Sequence, residues 1–143
     1  MTPVPGQKRS LGLLLGYMAV ILVLSLIPGS GTTGDLLGLI PSTIQNFLHV
    51  PAYALLAVLC VRTLATYRMG WRWRLTTALV LASTYGAAME FSQTWAPGRV
   101  PSVLGFLLNL AGVVLGVGLF GWLTFGRFRP PRSDRIVSKA GQG

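Results

Sequence analysis

Negative charge is what this chain has least of: Asp and Glu together number three among 143 residues, and Glu90 is the only glutamate. Charged residues of both signs make up 10% and hydrophobic residues 52%. Soluble domains carry roughly a quarter charged residues, which keep them in solution. The balance here, with a mean hydropathy of +0.61, excludes that class and points to a membrane protein. Thiols are as scarce. Cys60 stands alone between Leu59 and Val61, so no internal disulfide can form and the redox compartment is left open. The single histidine, His49, together with one carboxylate falls short of the three or four ligands that zinc takes, so no metal is expected. The chain has no G-x-S-x-G elbow, no phosphate-cradling P-loop and no C-x-x-C pair. It also has no His-rich or Met-rich stripe for haem or copper, so no cofactor is expected.

The charge that is present is basic, with a formal net charge of +9. Clustered Lys and Arg would suggest nucleic acid, but the placement excludes it as a partner. Lys8 and Arg9 precede the first apolar run, Arg62, Arg68, Arg72 and Arg74 lie between the second and third, and Arg127, Arg129, Arg132, Arg135 and Lys139 follow the last. Basic residues gathered in alternate short loops are the mark of orientation during membrane insertion. Membrane lipids are therefore the expected partners, through attraction to anionic headgroups.

Taken in order, residues 1–10 read as a short cytoplasmic tail, and 11–27 as a first span of about 17 residues, near the lower limit for a hydrocarbon core about 30 Å thick. That length exceeds a signal-peptide core, so the span is expected to be retained. Pro28, Gly29, Ser30 and Gly31 end it, and the segment to Pro41, with Asp35 and no basic residue, belongs outside. A second span starts near Ser42 or Thr43 and runs to about Leu64; because Pro51 removes the bond to the Phe47 carbonyl, either a kink is expected there or the helix proper begins only near Val50. Residues 62–74 form a cytoplasmic loop, 75–95 a third span and 102–125 a fourth. The expected fold is all-α: an integral membrane four-helix bundle with both termini cytoplasmic. Residues 1–126 form the single transmembrane domain, and 127–143 a basic, loosely ordered tail. The expected location is the bacterial cytoplasmic (inner) membrane, crossed several times.

This topology brings His49, Glu90, Gln93, Arg99 and Asn109 to the outer end of the bundle, from three different spans. A carboxylate inside the membrane boundary must be protonated, paired or reached by water. Glu90 is thus a candidate general acid or base or a headgroup ligand, or else a structural partner of Arg99 or His49. A nearby carboxylate could hold His49 as a proton donor, which makes it the second catalytic candidate; otherwise it is a helix-packing residue. Arg99, in a loop stiffened by Pro97 and Pro101, could grip a lipid phosphate with two parallel hydrogen bonds, or pin the loop to Glu90. Asn109 is expected to bond across helices. Ser102, Gly105, Gly112 and Gly116 read as a small-residue seam, and Ser83 and Gly86 extend the stripe of Glu90 and Gln93, so the third and fourth spans should form a close pair.

At these residues the chain resembles the VanZ-like family of small bacterial membrane proteins. The motifs are LSLIPG at 24–29, HVPAY at 49–53, and E-x-x-Q-x-x-x-P-G-R followed by S-x-x-x-x-x-x-N-x-x-G from Glu90 to Gly112. The resemblance implies a binding set of His49, Tyr53, Glu90, Gln93, Arg99, Ser102 and Asn109, and a link to glycopeptide (teicoplanin) resistance through the family's namesake, with no reaction assigned. The chain departs from the pattern where Gln45 and Asn46 replace an Asp-Lys pair, and where Gly105 replaces an aspartate. Two roles follow as expectations. One is binding of an envelope lipid or glycan-carrier headgroup at the outer leaflet. The other is an accessory, non-catalytic subunit of a larger membrane complex, with other membrane protein subunits as partners. Neither role requires that the protein be an enzyme.

Overall fold

The computed structural model describes residues 5–39 and 42–125, and every regular element among them is helical. The expected tail at 127–143 lies outside the described residues. In chain order the helices are α1 (Pro5–Ser25), α2 (Gly31–Gly38), α3 (Ser42–Phe47), α4 (His49–Leu64), α5 (Trp71–Ser92), a 3₁₀ turn (Gln93–Trp95) and α6 (Val103–Phe125).

Three stretches, Gly6–Ser25, Ile44–Leu64 and Val103–Thr124, are long and apolar enough to cross a membrane. Large apolar side chains cover their outsides, including Leu13, Val23, Leu55, Leu115 and Trp122. Helices that are apolar all round are at home in lipid rather than water. The chain is thus a membrane protein. The stretch expected as a third span differs: α5, at 22 residues, is not among those three. It begins at Trp71, taking in Arg72 and Arg74 of the expected loop, and its length is interrupted by Thr76, Thr77, Ser83, Thr84 and Glu90.

The core is built around α4, which packs against α1, α5 and α6. Leu56, Ala57, Ala78 and Val113 have no exposed surface, and three of these four are alanine or valine, so the helix axes lie close together. The tightest seam is α4 on α6. A Cβ at Gly112 would run into the Val50 carbonyl, and one at Gly116 into the Ala54 carbonyl. The small-residue stripe of α6 therefore serves α4 first, and α5 through Gly105 only at its N-terminal end.

Helix α1 buries little beyond Ile21 and Ser25. Side chains hold it instead: Tyr85 Oη donates to the Met18 carbonyl at 2.6 Å, Tyr17 Oη to the Ala52 carbonyl at 3.0 Å, and Thr63 Oγ1 to the Ser10 carbonyl at 3.2 Å. Interhelical bonds of this kind contribute about 0.6 kcal/mol each inside a membrane.

The irregularity around Pro51 takes the form of a break. α3 ends at Phe47 and α4 starts at His49, with Leu48 as the turn between them. Phe47 is the residue whose carbonyl Pro51 cannot serve. The helical turn relocates by one residue: Leu48 donates to the Ile44 carbonyl and Ala52 to the Leu48 carbonyl. This places His49 at the start of a new helix, with its ring free to face α6.

Candidate functional site

Two loops meet at one end of the bundle. The turn after α1 and the turn before α6 touch backbone to backbone, with the Gly29 N–H donating to the Pro97 carbonyl at 2.9 Å. A Cβ at Gly29 would lie 2.7 Å from the Gly98 carbonyl oxygen, and Gly98 has φ +75°. Only glycine takes that conformation without strain. Arg99 locks the crossing, since its Nε donates to the Ile27 carbonyl at 3.0 Å. It pins the loop, but onto Ile27, two residues past the end of α1, instead of onto Glu90. Backbone carbonyls left over at a helix end are natural acceptors for a guanidinium.

Glu90 sits on the last full turn of α5 and reaches across to α6. Its Oε1 accepts the Ser102 N–H at 2.6 Å, while the Ser102 Oγ accepts the Gly105 N–H at 2.8 Å. In a capping box the serine before a helix serves the third residue's N–H, and an acidic side chain at that third residue serves the serine's own N–H. Here the third residue is Gly105, and the acid comes from a different helix. A Cβ at Gly105 would lie 2.7 Å from both Glu90 oxygens, so the missing side chain makes the room. The positive end of the α6 dipole also favours a carboxylate at this point. Glu90 pairs with neither of the partners expected for it. No ion pair to Arg99 and no hydrogen bond to His49 is present among the described residues, because the backbone amide of Ser102 takes that place. The other oxygen, Oε2, is buried without a partner among the described residues.

His49 and Asn109 do come together, along with Gly86. Asn109 Nδ2 donates to the Gly86 carbonyl at 3.3 Å, which turns Oδ1 towards His49 Nδ1 at 2.7 Å. An amide oxygen only accepts, so Nδ1 carries the proton and Nε2 is the nitrogen left for a ligand. The His49 ring lies nearly parallel to Tyr53, with centroids 6.3 Å apart and planes at 15°. The expected interhelical bond of Asn109 thus joins all three inner helices at one buried side chain.

These groups surround a cleft of about 610 Å³, in the size range of small-molecule sites. His49, Tyr53, Glu90, Gln93 and Arg99 line it, and Asn109 stands behind His49. Gln45, Asn46, Ser102 and Gly105 also border it, so the positions where the resemblance expects further charges face the same space. Sequence reasoning missed the wall supplied by α1, including Leu24, Ser25 and Ile27, and the capping role of Ser102. The signal for the second was a serine ahead of a helix with glycine where the box needs an acid. Among the described residues no group of three or more His, Cys, Asp or Glu could hold a metal ion. The arrangement offers one carboxylate, one guanidinium, one imidazole and the amides of Gln45, Asn46 and Gln93, which suits recognition of a small polar group. No family model matches the chain, and no curated protein or solved structure matches it.

Proposed function

We propose that the chain is a four-span, VanZ-like protein of the bacterial cytoplasmic membrane, with both termini cytoplasmic, whose cleft binds the headgroup of an envelope lipid or glycan carrier at the outer leaflet. α5 supports the fourth span: 22 residues rise about 33 Å, and it packs against both α4 and α6. The basic residues at 8–9 and 62–74 support the orientation, which puts the cleft on the opposite side.

The observation that carries the headgroup reading is Arg99. Its Nε is engaged by Ile27, which fixes the guanidinium at the cleft, while its two terminal nitrogens have no partner among the described residues and are left for a phosphate. A bidentate phosphate contact contributes about 1.5–3 kcal/mol, equivalent to tenfold or more in affinity. The test is native mass spectrometry of the purified chain released from lipid nanodiscs. Retained phospholipid should fall about tenfold in Arg99→Ala. Equal retention by the variant and the unaltered chain would exclude the reading.

A second reading, an accessory subunit of a larger membrane complex, is favoured by α1. Gly12 and Gly16 are four apart and exposed, and a Cβ on either would meet no atom within 4 Å. Such a pair admits close approach of another helix. Stoichiometric copurification with a second membrane chain, lost in a Gly12→Ile, Gly16→Ile variant that still folds, supports it; a lone monomer in mild detergent excludes it.

A further inference from the structure

Glu90 and Arg99 line one cleft, carry opposite charges and do not pair among the described residues. Away from water opposite charges attract strongly, yet each of these is held back by a backbone group: the carboxylate by the Ser102 N–H and the guanidinium by the Ile27 carbonyl. The cleft is therefore dipolar, negative towards α5 and positive towards the loop. Glu90 is only 7% exposed, and its Oε2 has no donor. A buried acceptor without a donor is disfavoured and calls for an explanation. Gln93, three residues on and also buried, lines the same cleft and offers a second acceptor, its amide oxygen.

The complement of this cleft is a ligand with a cation that donates hydrogen bonds, joined by a short link to an anion. We infer that the ligand is a phosphoethanolamine headgroup, whose primary ammonium donates to Glu90 Oε2 and the Gln93 amide oxygen while its phosphate sits on Arg99. The inference rests on the headgroup reading above and narrows it. Three chemical arguments select this group. A primary ammonium has three N–H donors, and a quaternary ammonium has none. Quaternary groups are recognised by aromatic cages, but the aromatic rings lining the cleft among the described residues are Tyr53 and His49, which lie against each other. A headgroup with phosphate alone would satisfy Arg99 while bringing negative charge to Glu90. Oε1 keeps the Ser102 N–H, and Oε2 is the oxygen left for the ammonium.

The test uses the full chain in nanodiscs of phosphatidylglycerol to which one lipid is added: phosphatidylethanolamine, its mono- and dimethyl forms, or phosphatidylcholine. Retention by native mass spectrometry should fall stepwise as N–H donors are lost, by about tenfold from the first lipid to the last. Glu90→Gln should flatten the series, and Arg99→Ala should weaken every lipid. The series on the unaltered chain stands even if a variant fails to fold. Equal retention of ethanolamine and choline lipids that still depends on Arg99 overturns this inference and spares the headgroup reading. Retention that is uniform and independent of Arg99 overturns both. Glycerophosphoethanolamine, which has no acyl chains, should compete at least tenfold more weakly than the lipid; equal competition would overturn the membrane source of the ligand.

Discussion

Glu90 lies where the side chain of residue 105 would begin: both of its carboxylate oxygens are 2.7 Å from the Cβ position of Gly105. One acidic group from α5 thus fills the place, at the head of α6, that an acid of α6 itself would occupy in an ordinary capping box. The glycine and the glutamate are one structural unit, although fifteen positions separate them in the chain (105 − 90 = 15).

Gly105→Ala should therefore displace the carboxylate, not break the helix, because the obstructing atoms are at the end of a flexible side chain. Losing the bond to Ser102 costs about 1–2 kcal/mol. In a Glu90→Ala background the same change should instead stabilise α6 by up to about 1 kcal/mol, through the better helix propensity of alanine. A double-mutant cycle by thermal unfolding in detergent reads this change of sign. Additive effects would rule out the shared site.

Asn109→Ala leaves the Gly86 carbonyl and the His49 Nδ1–H without their partner. The expected loss is about 1–3 kcal/mol. The ¹⁵N shifts of His49 provide the specific readout. The unaltered chain should show the Nδ1–H tautomer, and the variant a mixture. An Nε2–H tautomer in the unaltered chain would contradict the Asn109 geometry.

Gly112→Ala sets a methyl group against the Val50 backbone, which has no rotamer to yield, and should cost about 1–3 kcal/mol. Gly118, six residues along the same helix, has nothing within 4 Å of its Cβ position. Gly118→Ala should be neutral or stabilising by up to about 1 kcal/mol. Melting temperatures that rank the two the other way would place the α4–α6 seam elsewhere.

Gly98→Ala forces a φ of +75° on a residue with a Cβ, at about 1–2 kcal/mol, and crowds Gly29 and Ser30. Arg99→Lys removes the Nε donor to Ile27. Both should lower hydrogen-exchange protection of the Gly29 amide, whose acceptor is the Pro97 carbonyl. Protection of the Leu56 amide, deep in α4, should stay as it is.

The parts of this fold that were legible in the sequence are those written in side chains. Three apolar stretches and the gathering of His49, Glu90, Gln93 and Arg99 around one cleft follow from hydropathy and spacing, and the structure shows both. The partners of Glu90 and Arg99 were not legible, because they are the Ser102 amide and the Ile27 carbonyl. Every residue carries those groups, so they leave no trace in residue type. The Gly112 and Gly116 seam was visible as spacing, but which helix it meets depends on the rotation of α6, and there α4 prevailed over α5. Pro51 announced an irregularity and not its form. One proline is compatible with a kink or a break, and here the break falls at Leu48.

The polar character of α5 bears on how the protein reaches its membrane. A helix whose buried face is Ala78, Ala82, Gly86, Met89, Glu90 and Ser92 gains little by leaving the translocon alone. Its shelter is made by α4, which is synthesised before it, and by α6, which is synthesised after it. On the four-span reading proposed above, α5 should therefore wait at the translocon until α6 has emerged, and the two should enter the bilayer together as a hairpin. A nascent chain long enough to expose α5 but not α6 would then still crosslink to the translocon through α5, and one extended by a C-terminal linker that carries α6 out of the ribosome would not.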